Sequence, residues 1–320
     1  MTRPVAQPTS VAPPIRDTAR GGLDETRGAS LASSDPAASD QACLIVHGPD
    51  QPGIVAAVSA LVRRHDGSIL ALNQYSDAAD GGAFFQRVVF RCNDLTTKLP
   101  GIESDLTRTL GPLALEWNLN ERSRYKRMGI LASKADHCLL DLLWRRRRGE
   151  LSVSIPMVIS NHTNNVDKVR AFGVPFLHVR SQGRDKSGAE ARILELMKGK
   201  VDFIVLARYM QILTEDFLNQ VQVPIINIHH SFLPAFVGAS PYRRARERGV
   251  KLIGATSHYV TKDLDEGPII EQDVTRVDHS MDAAELEARG ALVEREVLSR
   301  AVQWHAEDRV IRHGNQTIVF

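Results

Sequence analysis

The chain has 320 residues, 43% of them apolar, with 40 basic against 38 acidic side chains and a formal charge of +2. That length suits two packed domains, and so balanced a charge argues against a protein drawn to nucleic acid or an acidic membrane by its overall field. No run of about 18 apolar residues occurs, which excludes a spanning helix, and the N-terminus lacks the apolar centre of a secretory signal.

Residues 1–40 mix Pro, Ala, Ser, Thr, Asp and Arg without an aromatic residue. Such a segment cannot bury enough apolar surface to offset its ordering entropy, so a disordered tail is expected. Order begins at residues 42–47, a short apolar strand, followed by the turn cluster Gly48-Pro-Asp-Gln-Pro-Gly53. Ile54, Val55, Val58, Leu61 and Val62 recur at helical spacing, and Asp66-Gly67 stops that helix. Residues 68–75 and 83–90 read as strands joined by an Asp/Gly-rich turn. A helix over 99–111 and a strand over 114–119 complete a βαββαβ order, the ferredoxin-like arrangement, in a domain spanning 41–120.

The polar segment 121–126 reads as a linker to a second domain, 127–320. Strands are expected at 127–132, 153–159, 176–179, 203–207, 225–228, 255–260 and 269–274. Helices are expected at 137–148, 188–198, 215–220 and 281–306, the last with Ser280 as N-cap. This alternation predicts an α/β domain with a doubly wound, mostly parallel sheet. Arg145 to Arg148 end a helix, where their charge complements the dipole. Cys43, Cys92 and Cys138 show no paired spacing and read as thiols of a reducing, cytoplasmic compartment.

Chemistry concentrates where the apolar run 223–228 gives way to Asn227-Ile-His229-His230, and again at His258 and Asp265. In an open parallel sheet, polar groups just past a strand's carboxyl end face the ligand crevice. An amide can hold a developing oxyanion, an imidazole can move a proton near neutral pH, and a carboxylate can orient it. On a continuing strand His229 and His230 point to opposite faces, so only one belongs in such a site. The 11 histidines include no HExxH or Cys-x-x-Cys frame, so no metal is expected.

Asn227-Ile-His, Ser231-x-Leu-Pro234 and His258-x-Val-Thr-x-x-Leu-Asp265-x-Gly-Pro268 together resemble the active-site signature of the 10-formyltetrahydrofolate-dependent formyltransferase fold. The variant Asn-Ile-His-His-Ser-Phe-Leu-Pro-Ala-Phe, with Ala207-Arg-Tyr-Met-Gln-Ile-Leu213 upstream, is most similar to the formyltetrahydrofolate deformylase family, over residues 41–320. The resemblance implies hydrolysis of 10-formyltetrahydrofolate to tetrahydrofolate and formate, feeding one-carbon and purine metabolism, with no cofactor beyond the folate substrate. It assigns Asn227 to the oxyanion, His229 to proton transfer and polarisation, and Asp265, preferred over Asp263 by the Leu-Asp-x-Gly-Pro frame, to the imidazole or the attacking water. Met210, Gln211, Ile212 and Leu213 would line the pterin pocket, largely through backbone groups, and His258 would contact the loop near Asp265. Glycinamide ribonucleotide transferases carry Arg where Gln211 stands, which argues against a side-chain role there.

In that transferase a Gly-rich loop after the first strand holds the substrate phosphate; here the loop is Ala132-Ser-Lys-Ala-Asp-His137, without glycine and with a carboxylate at Asp136. Water is therefore expected in place of a phosphorylated amine. The alternatives are a glycinamide ribonucleotide formyltransferase and a non-catalytic amino-acid sensor on an inactive formyltransferase fold. The strand, Asp50-x-x-Gly53-Ile-Val, helix sequence resembles the ACT module. It implies either an amino-acid effector site, with Asp50, Gly53 and Asn73 as candidates, or a module that serves assembly alone. Both domain types imply a homo-oligomer, and neither implies a nucleic-acid or membrane partner.

Overall fold

A computed structural model of the chain describes residues 38–78, 81–181, 186–235 and 241–320. Most of the expected tail, residues 1–37, lies outside the described residues.

The first layer holds β1 (Gln41–Pro49), α1 (Ile54–Arg64), β2 (Ser68–Ser76), β3 (Ala83–Arg91), α2 (Leu95–Leu110) and β4 (Glu116–Glu121). Its sheet runs β2-β3-β1-β4, all antiparallel. Strand alternation sends Leu44, Val46, Phe84, Val88 and Phe90 to one face, where α1 and α2 cover them with Leu61, Val62, Ile102 and Leu106. Two boundaries differ from the sequence reading. Helix α2 starts before Pro100, which sits inside it instead of opening it. Strand β4 starts later because Ala114 adopts a left-handed φ of 53°, which no strand accommodates. Edge strand β2 is exposed on both faces from Ser68 to Tyr75.

The second layer holds β5 (Lys126–Ala132), α3 (His137–Arg147), β6 (Val153–Ser160), α4 (Val166–Arg170), β7 (Phe176–His178), α5 (Ser187–Met197), β8 (Phe203–Ala207) and α6 (Glu215–Val221). It continues with β9 (Ile225–His229), α7 (Pro241–Arg248), β10 (Leu252–Tyr259), β11 (Ile269–Arg276) and α8 (Ala283–Ala306). The sheet order is β11-β10-β9-β8-β5-β6-β7, parallel from β9 to β7 and antiparallel at β10 and β11. Leu139 and Leu142 of α3 and Val297, Leu298 and Ala301 of α8 pack on one face. Ile193 and Met197 of α5 and Phe217 of α6 pack on the other. The sheet is thus doubly wound, as expected. The N-cap of α8 is Asp282, not Ser280: its carboxylate accepts from Glu285 N (2.9 Å) while Glu285 Oε2 accepts from Asp282 N (2.7 Å). That reciprocal capping box outcompetes a single hydroxyl.

Between β4 and β5 only residues 122–125 remain as a connection, shorter than the 121–126 expected. Helices α4 and α7 were absent from the sequence reading, as was the hairpin β12 (Val310–His313) and β13 (Gln316–Val319). That hairpin leaves the second layer and lays Ile311, Ile318 and Phe320 on the outer face of the first sheet, against Cys43, Ile45, Phe85 and Val89. At the junction Arg87 donates to the carbonyls of Glu307 and Asp308, both at 2.9 Å. Asp308 Oδ1 accepts from Asn120 Nδ2 (2.9 Å) and Lys126 Nζ (2.5 Å). A cleft of about 590 Å³ adjoins this junction, lined by Leu119, Tyr125, Asp202 and Asp308. Among the described residues, no helix is long and apolar enough to cross a membrane.

Candidate active site

A cleft of about 500 Å³ opens at the carboxyl ends of β8 and β9, where parallel sheets bind ligands. Three segments converge there: residues 208–213 after β8, Asn227 and His229 of β9, and the 260–265 loop after β10. On β9, Ile226 and Ile228 face the α3/α8 core while Ile225 faces the α5/α6 core. Asn227 and His229 therefore share one face of the strand. Antiparallel pairing sets His258 beside Asn227 and Thr256 beside His229. Thr256 pins the loop that follows β9, donating to Ser231 O (2.9 Å) and accepting from Leu233 N (3.0 Å). Asp265 sits at a left-handed φ of 58°. Its loop is held close to β10: Tyr259 N bonds Pro268 O at 2.9 Å, and a Cβ on Gly267 would lie 1.8 Å from Tyr259 O. Only glycine permits that approach.

His229 Nδ1 stands 3.3 Å from Asp265 Oδ2, with side chains 6% and 11% exposed. Among the described residues its other nitrogen, Nε2, has no hydrogen-bond partner although it is buried. His258 Nδ1 lies 3.0 Å from Tyr259 O, a contact that requires Nδ1 to carry the proton. In the tautomer with that proton on Nδ1, Nε2 accepts from Asn227 Nδ2 at 3.2 Å. Asp265 Oδ1, at 3.7 Å, lies beyond hydrogen-bond range of that nitrogen. His258 thus fixes the Asn227 amide with its nitrogen toward the imidazoles and one N–H free for a ligand oxygen. Contact with His229 holds the Asp265 carboxyl well below the usual carboxylate range, against the opposing effect of burial. The site therefore joins an oriented amide donor, a proton-accepting nitrogen and a carboxylate ionised at neutral pH, the parts needed to attack a carbonyl with water.

Met210, Gln211, Ile212 and Leu213 line the same cleft. Met210 N is tied to Ser133 Oγ (3.1 Å), and the Gln211 amide bends back to Met210 O (2.8 Å). Met210 and Ile212 are more than half exposed, at 57% and 60%, an apolar pair available to a flat ring. Asp50, Gly53 and Asn73 do not join this site. They belong to the first layer: Asp50 follows β1 and its N bonds Gly82 O, Gly53 is the N-cap of α1, and Asn73 on β2 pairs with Arg87 of β3, the strand that separates β2 from β1.

The sequence reading missed a buried polar cluster next to the site. Glu294, only 1% exposed, accepts from His137 Nε2 (2.7 Å) and Tyr242 Oη (2.6 Å) and faces Arg208 Nη1 at 3.5 Å. Burial works to raise the Glu294 carboxyl, but His137, Arg208 and Tyr242 outweigh it and set it below its ordinary value. The expectation that only one of His229 and His230 belongs in the site is not met: β9 ends at His229, so His230 no longer follows the strand alternation and lines the same cleft, its ring 5.3 Å from that of His229. The pKa of His230 is pushed down to about 4 by burial and by the Arg208 charge, so it is neutral at pH 7. Donor atoms of His137, Cys138 and Glu294 lie within 4.8 Å of one another, but both Glu294 oxygens are already bonded. Arg208 holds a left-handed φ of 60°, a strain of about 1–3 kcal/mol that concentrates at functional sites. One signal was available: Glu294 lies on the helical stripe Leu286, Gly290, Val297 and Leu298, all buried, and a charge on an apolar stripe implies a buried partner.

Comparison with known proteins places this geometry in context. A formyl transferase family profile matches residues 126–302. The chain is 55% identical to the formyltetrahydrofolate deformylase of Mycobacterium tuberculosis (strain H37Rv) over 87% of its own length and 90% of that protein's. It superimposes on the crystal structure of a formyltetrahydrofolate deformylase from Pseudomonas syringae pv. tomato with TM-score 0.84 and 43% identity, covering 88% of this chain and 94% of that one. It also matches glycinamide ribonucleotide transformylase 1 from Symbiobacterium toebii, with TM-score 0.58 and 31% identity, over 61% of this chain and 94% of that one.

Proposed function

The chain belongs to the formyltetrahydrofolate deformylase family, and from that membership and the site geometry we infer that it hydrolyses 10-formyltetrahydrofolate to tetrahydrofolate and formate. The observation that carries the mechanism is the His229–Asp265 pair, with an unpartnered Nε2 beside the Asn227 amide. With Nδ1–H donated to Asp265, His229 Nε2 takes a proton from water as the water oxygen bonds to the formyl carbon. Asn227 Nδ2 donates to the oxygen that gains charge, a contribution of about 3–4 kcal/mol for one such donor. Asp265 stabilises the imidazolium so formed. That imidazolium returns the proton to the departing N10 as the C–N bond breaks. Each step is served by protein groups, so the mechanism calls for no metal or further cofactor. The folate ring rests against Met210, Ile212 and Leu213.

A phosphorylated amine fits this site poorly. Asp136 is held by Lys168 Nζ at 2.5 Å and His137 by Glu294, so the loop after β5 offers a carboxylate and no free histidine. Two further readings concern assembly and control. The exposed apolar residues Ile69, Leu70, Leu72 and Tyr75 on β2 support pairing of two copies along that strand. A small amino-acid effector has candidate contacts at Asp50, Gly53 and Asn73, none of which lines the junction cleft beside Gln41 and Asp308. Three buried, unpaired cysteines support a cytoplasmic location.

The decisive experiment supplies purified protein with 10-formyltetrahydrofolate and no amine, and measures formate. Stoichiometric formate and tetrahydrofolate are expected. Turnover that begins only on adding glycinamide ribonucleotide overturns the hydrolytic reading.

A further inference from the structure

Several side chains that this mechanism does not use gather behind one wall of the cleft. Arg208 and His230 line the cleft beside Asn227 and His229. Behind them Glu294 binds His137 and Tyr242 and faces Arg208, and the His230 and Tyr242 rings lie 6.1 Å apart. Five elements meet here: the end of β8, the end of β9, the start of α3, α7 and α8. Two local sacrifices make the arrangement possible. Gly290 sits within the unbroken α8, and a Cβ there would lie 2.0 Å from Tyr242 Oη, so its bare backbone is what admits the tyrosine to Glu294. Arg208 occupies a backbone conformation that suits glycine better.

The position of this cluster bears on what can attack the formyl carbon. The carbonyl oxygen is held toward Asn227, and the attacking atom sits at His229 Nε2. The folate ring occupies the side of residues 210–213, and the 260–265 loop closes another. Among the described residues, Arg208 and His230 line a further side beside His229, where the substituents of an acceptor amine would have to lie. Water needs only about 30 Å³ and does not disturb it. We propose that the Arg208–His230–Tyr242–His137–Glu294 cluster fills the acceptor side of the cleft and so restricts the acceptor to water. The proposal rests on the hydrolytic reading above. Glu294 is the group that ties the wall together: it takes hydrogen bonds from His137 and Tyr242 and an ion pair from Arg208, whose Nε and Nη1 make no hydrogen bond among the described residues, so moving its partners strands a buried carboxylate. His230, neutral at pH 7, adds no second cation that would repel Arg208.

The test offers glycinamide as the acceptor and reads the products by mass spectrometry. If the amine is used, its nitrogen forms a bond to the formyl carbon, the bond from that carbon to N10 breaks, and an amine proton passes to N10. The products are then N-formylglycinamide and tetrahydrofolate in place of formate and tetrahydrofolate. Wild type is expected to yield formate alone. Arg208→Gly removes the wall's cation, relaxes the backbone and opens the cleft. It is expected to raise the ratio of N-formylglycinamide to formate by about tenfold or more, the lower end of what a reshaped pocket discriminates. Gly290→Ala, which displaces Tyr242, is expected to move the ratio the same way and guards against an Arg208 variant that loses turnover. If the active variants lower the unfolding temperature but keep the wild-type product ratio, the cluster is only structural and the proposal falls. It falls equally if wild type formylates glycinamide as readily as water. Amine-free formate release by wild type tests the hydrolytic reading separately.

Discussion

Replacing Asp265 by Asn keeps the shape of the site and removes its charge. The carboxylate stands 3.3 Å from His229 Nδ1, and the two side chains are only 11% and 6% exposed. Attraction between unit charges at that separation amounts to about 5 kcal/mol at an effective dielectric of 20. Little of it is lost to solvent at that exposure. The imidazolium that appears during water attack would lose this stabilisation, as would the tautomer that leaves Nε2 free. At about 1.4 kcal/mol per tenfold, kcat is expected to fall by about 10³- to 10⁴-fold. KM is expected to change little, because Asp265 touches the imidazoles and not the folate ring. The assay follows 10-formyltetrahydrofolate by absorbance without amine, with formate measured independently. The unfolding temperature serves as a control for the fold. A correctly folded variant that keeps kcat within about tenfold of wild type would refute the reasoning. A raised KM at unchanged kcat would instead assign Asp265 to substrate binding.

Asn227→Ala removes the oxyanion donor and is expected to lower kcat by about 10²- to 10³-fold, measured in the same assay; a loss in KM alone would contradict that role. Burial and Arg208 hold the folded-state pKa of His230 at about 4, below its ordinary 6.5, so the unfolded chain binds the proton first. Its contribution to stability is full above about 6.5 and is lost as pH falls from there toward about 4. His305, lowered mainly by burial, acts with the same sign. Urea unfolding at pH 7 and pH 5 is expected to show a smaller pH dependence for His230→Gln than for wild type. Leu72→Lys, on the exposed strand β2, is expected to lower the assembled mass in sedimentation without changing the melting temperature of the protomer by more than a few degrees; an unchanged mass would exclude pairing along β2.

The chemistry that could be read from the chain was the chemistry concentrated in it. Asn227 and His229 stand two apart on one strand, and Asp265 lies in a loop whose Gly267-Pro268 turn announces itself. The buried wall was hidden for the opposite reason: His137 and Glu294 are 157 residues apart, and although Glu294 stands out on the apolar stripe of α8, nothing in their own segments marks Arg208, Tyr242 or His137 as its partners until the fold assembles them. The doubly wound sheet was legible because alternating strands and helices leave few topologies open. The terminal hairpin was overlooked although Gly314-Asn315 is a two-residue turn with the glycine at φ 57°. Its strands of four residues are too short for alternation to register, and their destination on another domain leaves no local mark. Ser280 lost the N-cap to Asp282 because a reciprocal Asp–Glu pair satisfies two backbone donors where a serine satisfies one.

That hairpin also imposes an order of events during synthesis. Strand β3 leaves the ribosome early, whereas the segment that covers its outer face comes much later: Arg87 and Asp308 are 221 residues apart. At about 5–20 residues per second, the gap is roughly 10–45 s. Through that interval the early sheet presents Ile45, Phe85 and Val89 to the surroundings, beside an unpaired β2 edge. Neighbouring nascent chains on one message would carry the same two surfaces at the same time. The hazard of misassociation is therefore greatest during translation, and residues 310–320 are a late cover on the sheet that is synthesised first.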